Sequence, residues 1–249
     1  MPAGTYGTGP VVPDKYIWFP RHAGTMAGTA GISQKKNPPA RAGLPGIMQD
    51  GDRLHNIVLT GMPGAGKSTA GVILAKTQGM TFIDTDIAIQ EREGRLLQEI
   101  IDTEGPDRFL EIEQDTVLSL RCHDTVIATG GSVVLSSRAM KHLKRDGVVV
   151  YLKVSLEEIE QRLSNITTRG IVLHAGQDLP ALYSGRAPLY EKYADITIDC
   201  SGRDAETVVT TIVNKVSSLS DRRSRKAGET RGDPADPEEG APAENRVGP

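Results

Sequence analysis

Two groups of residues in this chain have the types and spacing for phosphate chemistry. Gly61-Met62-Pro63-Gly64-Ala65-Gly66-Lys67-Ser68, followed by Thr69, fits G-x-x-x-x-G-K-[ST], a loop whose backbone N–H groups wrap a polyphosphate. In that pattern Lys67 reaches the β- and γ-phosphates and the Ser68 hydroxyl ligates Mg²⁺. The second group is Asp84-Thr85-Asp86. A hard octahedral cation that keeps most of its waters needs only one or two further oxygens. Asp84 can serve it while Asp86 faces an acceptor hydroxyl. The plainer reading of that pair is a capped turn before a helix, with Thr85 or Asp86 as the N-cap. Gly130-Gly131 also leaves two readings open, close backbone approach to a ligand or a simple strand-to-helix turn. Arg169 and Arg186 are cations in or near the last irregular stretch.

The flanking patterns supply the elements that position these residues. Asn56-Ile57-Val58-Leu59-Thr60 is a short apolar run ending at the glycines, so it reads as a buried strand. Good helix formers follow Lys67 and stop at Gly79,. Strand, loop and helix in that order point unpaired N–H groups at an anion. Further strands are expected at 81–83, 125–128, 148–152 and 196–198, and helices at 87–93, 96–103, 107–120, 136–144, 156–163, 179–193 and 205–219. Gly105-Pro106 should break the chain between two of them. Such alternation argues for α/β architecture with a parallel sheet covered on both faces. Ligands then sit beyond the carboxyl ends of the strands, which is where the loop, Asp84/Asp86 and Gly130-Gly131 all fall.

Composition narrows the function classes. The 38% hydrophobic and 4% aromatic content suits one modest α/β core, and a net charge of −3 gives no footprint for nucleic acid,. No run approaches the roughly 18 apolar residues of a membrane span, and the first residues lack a secretory signal pattern. Cys122 and Cys200 are read as buried reduced thiols of a cytoplasmic protein, and the five scattered histidines suggest no metal centre. Residues 1–52, rich in Gly, Pro and Ala, are expected to be a disordered extension. Residues 53–220 form the folded domain, and 221–249 a disordered charged tail.

Taken in order, G-M-P-G-A-G-K-S-T, F-I-D-T-D, A-T-G-G, T-T-R-G and R-A-P-L-Y resemble the landmarks of the shikimate kinase family, over about residues 54–219. The resemblance implies a three-layer P-loop kinase fold, with a five-stranded parallel sheet and a mobile lid. It also implies Mg-ATP as donor and a small hydroxy acid as acceptor, most simply shikimate, in a monomer. Lys67, Asp86 and Arg169 become the catalytic candidates, and Ser68 and Asp84 the metal ligands. Residues 61–69 bind ATP, with Arg162, the lid arginine Arg169 and Arg203 near the nucleotide. Asp86, Gly130, Gly131, Arg186 and Glu113 line the acceptor.

Two departures from the family pattern stand out. Its Phe-Arg-x-x-Glu, whose arginine is a second carboxylate clamp, is here Phe109-Leu110-Glu111-Ile112-Glu113, and the third glycine of its Gly-Gly-Gly is Ser132. Arg108 lies about 200° around the helix from Leu110, a poor substitute. Glu113 therefore lacks its usual cation. One expectation is an acceptor with an ammonium group, such as homoserine, meeting Glu113; the other is that Glu113 faces solvent and shikimate binds less tightly. A non-catalytic nucleotide-binding regulatory module and a nucleoside monophosphate kinase are the remaining alternatives. The acceptor-side aspartate argues against the first, and the lack of a base-stacking aromatic set against the second.

Overall fold

A computed structural model of the chain describes residues 56–164 and 178–229. Five parallel strands form one sheet: β1 (Asn56–Thr60), β2 (Thr81–Asp84), β3 (Thr125–Ala128), β4 (Gly147–Lys153) and β5 (Ile196–Asp199), in the order β2-β3-β1-β4-β5. The central strand β1 pairs Val58 with Ile127 on one side and with Val149 on the other. Every residue of β1 and β3 is buried, which explains their unbroken apolar and β-branched runs. The sequence pattern placed all five strands.

The order of the strands creates the crevice. From β1 the chain moves outward to β2, returns through β3, and then continues on the far side through β4 and β5. The loops after the adjacent strands β1 and β3 consequently diverge, and a ligand fits at that switch point.

Among the described residues seven α-helices connect or follow the strands: α1 (Lys67–Gln78), α2 (Thr85–Glu93), α3 (Leu97–Ser119), α4 (Ser137–Arg145), α5 (Leu156–Ser164), α6 (Leu179–Tyr193) and α7 (Ala205–Glu229). A 3-10 turn over Val133–Leu135, not anticipated from the sequence, precedes α4. The expected break at Gly105 is a kink inside α3, where φ is 84° and ψ is 165°. The closing helix α7 runs ten residues past the expected end at 219, so the D-R-R-S-R-K run begins as helix backbone. Charge and turn residues read as a solvated tail, but helix continuation needs only good propensity on an established turn.

The main core gathers the sheet with α1, α4, α6 and α7. Within it Tyr151 of β4 stacks on Tyr190 of α6 at 5.0 Å between ring centroids. A second, smaller core of Ile89, Leu97, Ile100, Phe109 and Ile112 joins α2 to both halves of α3. Cys122 and Cys200 are free thiols, half-buried and buried respectively. Residues 1–55 and 230–249, which hold the expected extension and most of the expected tail, lie outside the described residues.

Candidate active site

The end of β1 and the start of α1 build an anion cradle. Gly66 caps α1 with φ 86°, a left-handed conformation that a residue with a Cβ resists. Because no side chain caps this end, its N–H groups stay available to a ligand. Met62 and Ala65 are buried in the main core, which anchors the loop from below. Lys67 is only 7% exposed, and its Nζ donates to the carbonyls of Gly61 and Met62, each at 2.9 Å. Those bonds hold the ammonium over the mouth of the loop.

Asp84 joins this cradle to the next strand. The Ser68 hydroxyl donates to Asp84 Oδ2 at 2.6 Å, and the Asp86 backbone N–H donates to Asp84 Oδ1 at 3.0 Å. Asp84 is therefore the N-cap of α2, where the sequence reading had offered Thr85 or Asp86. Capping uses Oδ1 only, and Oδ2 is the oxygen that meets the Ser68 hydroxyl. A hydroxyl and a carboxylate in contact at the loop mouth are hard oxygen donors, and such a pair suits a divalent ion that keeps most of its water. No cluster of three or more His, Cys, Asp or Glu able to hold a metal occurs among the described residues.

Beside the cradle lies a cavity of about 330 Å³. Lys67, Ser68, Asp84, Asp86, Gly130, Gly131 and Arg186 all line it, together with Thr129, Ser132 and an apolar wall of Ile87, Leu96, Leu97 and Phe109. Arg186, only 4% exposed, enters from α6. Its neighbour one turn on, Tyr190, donates its hydroxyl to the Gly131 carbonyl at 2.5 Å. From the other side the Gly130 N–H donates to Thr85 Oγ1 at 2.9 Å. Thr85 and Tyr190 thus fix the Gly130-Gly131 backbone between α2 and α6. The sequence reading missed both. The i, i+4 spacing of Arg186 and Tyr190 was the available signal.

Glu113 is the surprise of the site. It is 2% exposed rather than facing solvent, and its Oε1 has no hydrogen-bond partner. Gly130 makes room for it: a Cβ there would run into Glu113 Oε1 and lie 2.9 Å from Asp86 Oδ1. The close approach at Gly130 is therefore to the protein's own carboxyl groups. Burial above all, and then the charge of Asp86, push the Glu113 carboxyl up to about 8, against the opposing pull of Ser132, Arg186 and Lys67. Leu110 is half-buried and packs on the second core, while Arg108 is turned outward to Glu111 at 2.7 Å.

Three expected nucleotide contacts have different fates. Arg162 Nη1 donates to the Gly64 carbonyl at 2.9 Å, and its other arm pairs with Glu158 at 2.5 Å, so it braces the glycine loop. Arg203 is exposed in the turn before α7. Arg169 lies outside the described residues, as does the expected lid between 165 and 177. Thr69 is exposed on the first turn of α1.

A glycine loop that opens a helix, an adjoining hydroxyl–carboxylate pair and a neighbouring acceptor-sized cavity define the class of P-loop small-molecule kinases. Residues 63–217 match the family model described as shikimate kinase. The chain is 39% identical over 170 residues to the shikimate kinase of Thermodesulfovibrio yellowstonii, covering 67% of this chain and 98% of that one. It is 40% identical over 164 residues to that of Mycobacterium avium, covering 64% and 92%. Among solved structures, shikimate kinase from Acinetobacter baumannii in complex with shikimate aligns with a TM-score of 0.62 at 31% identity, over 68% of this chain and 96% of that one. The enzyme from Bacteroides thetaiotaomicron aligns with a TM-score of 0.54 at 26% identity, over 66% and 97%. The chain belongs to the shikimate kinase family, and it is an ATP-dependent small-molecule kinase.

Proposed function

We propose that this protein transfers the γ-phosphoryl group of ATP to a hydroxyl of shikimate, giving shikimate 3-phosphate and ADP. The observation that carries this reading is the convergence of Lys67, the Ser68–Asp84 pair, Asp86 and Arg186 on one cavity. The N–H groups of residues 61–69 and the Lys67 ammonium bind the phosphates. Ser68 and Asp84 would hold Mg²⁺, which when bound would supply charge neutralisation for the phosphates. Arg186 grips the acceptor carboxylate through two parallel hydrogen bonds. Asp86 orients the acceptor hydroxyl and takes its proton. The hydroxyl oxygen bonds to the γ-phosphorus as the bond from that phosphorus to the ADP oxygen breaks. Arg169 closes over the phosphates and, with Arg162 and Arg203, completes the nucleotide site. The unit at work is the folded domain from about residue 53 to the end of α7, as a cytoplasmic monomer. No helix long and apolar enough to cross a membrane occurs among the described residues.

One observation favours a second acceptor. The orphaned Oε1 of Glu113 beside the cavity wall would suit an ammonium group, as on a hydroxy amino acid such as homoserine. ADP release by the full chain, assayed separately with shikimate and with homoserine, decides. Turnover with shikimate alone is expected; turnover with homoserine alone would replace the acceptor.

A further inference from the structure

We infer that Glu113 works as an uncharged carboxylic acid that donates the O–H on its Oε1 to the Asp86 carboxylate, and so is a positioning residue for the group that receives the acceptor proton. The assignment of Asp86 rests on the function proposed above. The protonation of Glu113 does not.

The geometry comes first. Glu113 Oε1 and Asp86 Oδ1 both crowd the point where Gly130 would carry a Cβ. Two carboxyl groups that each bring an oxygen to within 3 Å of one point at Gly130, one of them 2% exposed, cannot both hold a negative charge cheaply. A shared proton removes the repulsion. It also satisfies the one buried Glu113 oxygen that has no hydrogen-bond partner, because a protonated carboxyl gains a donor that an ionised one lacks.

The groups around the pair decide which carboxyl keeps the proton. Asp86 stands in the first turn of α2, where the helix dipole favours a negative charge. Glu113 is deep in α3, away from any helix end. The cations facing Glu113 are Lys67 from α1 and Arg186 from α6, the Ser132 hydroxyl reaches it from the loop after β3, and the Tyr190 phenol lies nearby on α6. Their pull is outweighed: desolvation and Asp86 raise the carboxyl to about 8. Burial at this position favours the neutral form of Glu113,.

The assignment makes Glu113→Gln a mimic, since an amide keeps the shape and the donor without the charge. On the full chain, infrared difference spectra of wild type against Glu113→Gln should show one carbonyl band of a protonated carboxylic acid at neutral pH, fading as pH rises through about 8. The band should fade at lower pH in Asp86→Asn, where the neighbouring charge is gone. With shikimate as acceptor, Glu113→Gln should lose the alkaline fall of the wild-type pH profile and stay well above Glu113→Ala in kcat. Glu113→Ala should lose about ten- to a hundredfold, the loss of one hydrogen bond to a charged group. Absence of the band, or an unmoved midpoint in Asp86→Asn, overturns the inference; if Glu113→Gln fails to fold, the pH-difference spectra of the wild type and of Asp86→Asn, each taken against itself across pH 8, give the same two readings. Folded Glu113→Gln with activity as low as Glu113→Ala also overturns it. Failure of shikimate as a substrate would overturn the acceptor reading alone, because the spectra do not depend on it.

Discussion

The donor and acceptor halves of the site are built by different means. The proposed donor half is one continuous string, residues 61–69, whose Met62 and Ala65 are rooted in the main core. The proposed acceptor half is assembled from side chains on distant segments: Asp86 from α2, Ser132 after β3 and Arg186 from α6 line the cavity, with Glu113 of α3 buried behind Gly130. A phosphate cradle needs only a turn geometry that a short sequence can encode. A pocket for a particular small molecule needs charges placed across the fold, and its chemistry changes when one of them is exchanged. The sequence keeps the donor string intact and departs from the family pattern at Ser132, which lines the cavity, and at Leu110, which packs on the second core.

That division can be broken or sharpened by substitution. Lys67→Ala should cost the most, about a thousandfold in kcat/KM, as for removal of a preorganised group that stabilises transition-state charge. Binding of shikimate alone, followed by calorimetry, should survive it; a parallel loss of acceptor affinity would show that the halves are not separable. Arg186→Lys comes next. It keeps the charge but replaces a planar fork with a point donor, so the acceptor KM should rise about ten- to a hundredfold while the KM for ATP stays within about twofold.

The smallest effect is on stability rather than rate, and it belongs to the acceptor half. Glu113 has its folded-state pKa raised from 4.5 to about 8. The folded state therefore holds one proton more than the unfolded chain across that interval, and stability falls as pH rises. The slope from this group is about 1.4 kcal/mol per pH step, levelling off above the folded value. Melting curves of wild type relative to Glu113→Gln should show the wild type losing several degrees between pH 6 and 8. A difference that stays constant with pH would mean Glu113 is ionised in the fold.

The contrast between the halves also explains what the sequence disclosed. The strands, the loop and the kink at Gly105 were legible because each is written in adjacent residues: apolar runs, glycines and a Gly-Pro pair. The N-cap of α2 was misplaced by one residue or more, since Asp84, Thr85 and Asp86 are all plausible caps and only the packing of Ser68 selects Asp84. The burial of Glu113 was legible only through the family resemblance, as one of two expectations, and not from its own helix. Its helix neighbours alternate charged and apolar, and nothing local shows that Gly130, seventeen positions on, leaves a hole of the right size. Tyr190 and Thr85, which clamp the Gly130-Gly131 backbone, were hidden for the same reason.

The second core has a consequence for how the molecule opens. Only five buried side chains knit α2 to the two halves of α3, and the Gly105 kink interrupts the helix ladder between those halves. A unit with so few buried contacts opens at a free energy well below that of global unfolding. Amide protons of α2 and the first half of α3 then exchange with solvent while those of β1 and β4 remain protected. Filling the cavity at that seam ties the small unit to the sheet, so an acceptor would be felt as slowed exchange across the whole of α2, far beyond the residues it touches.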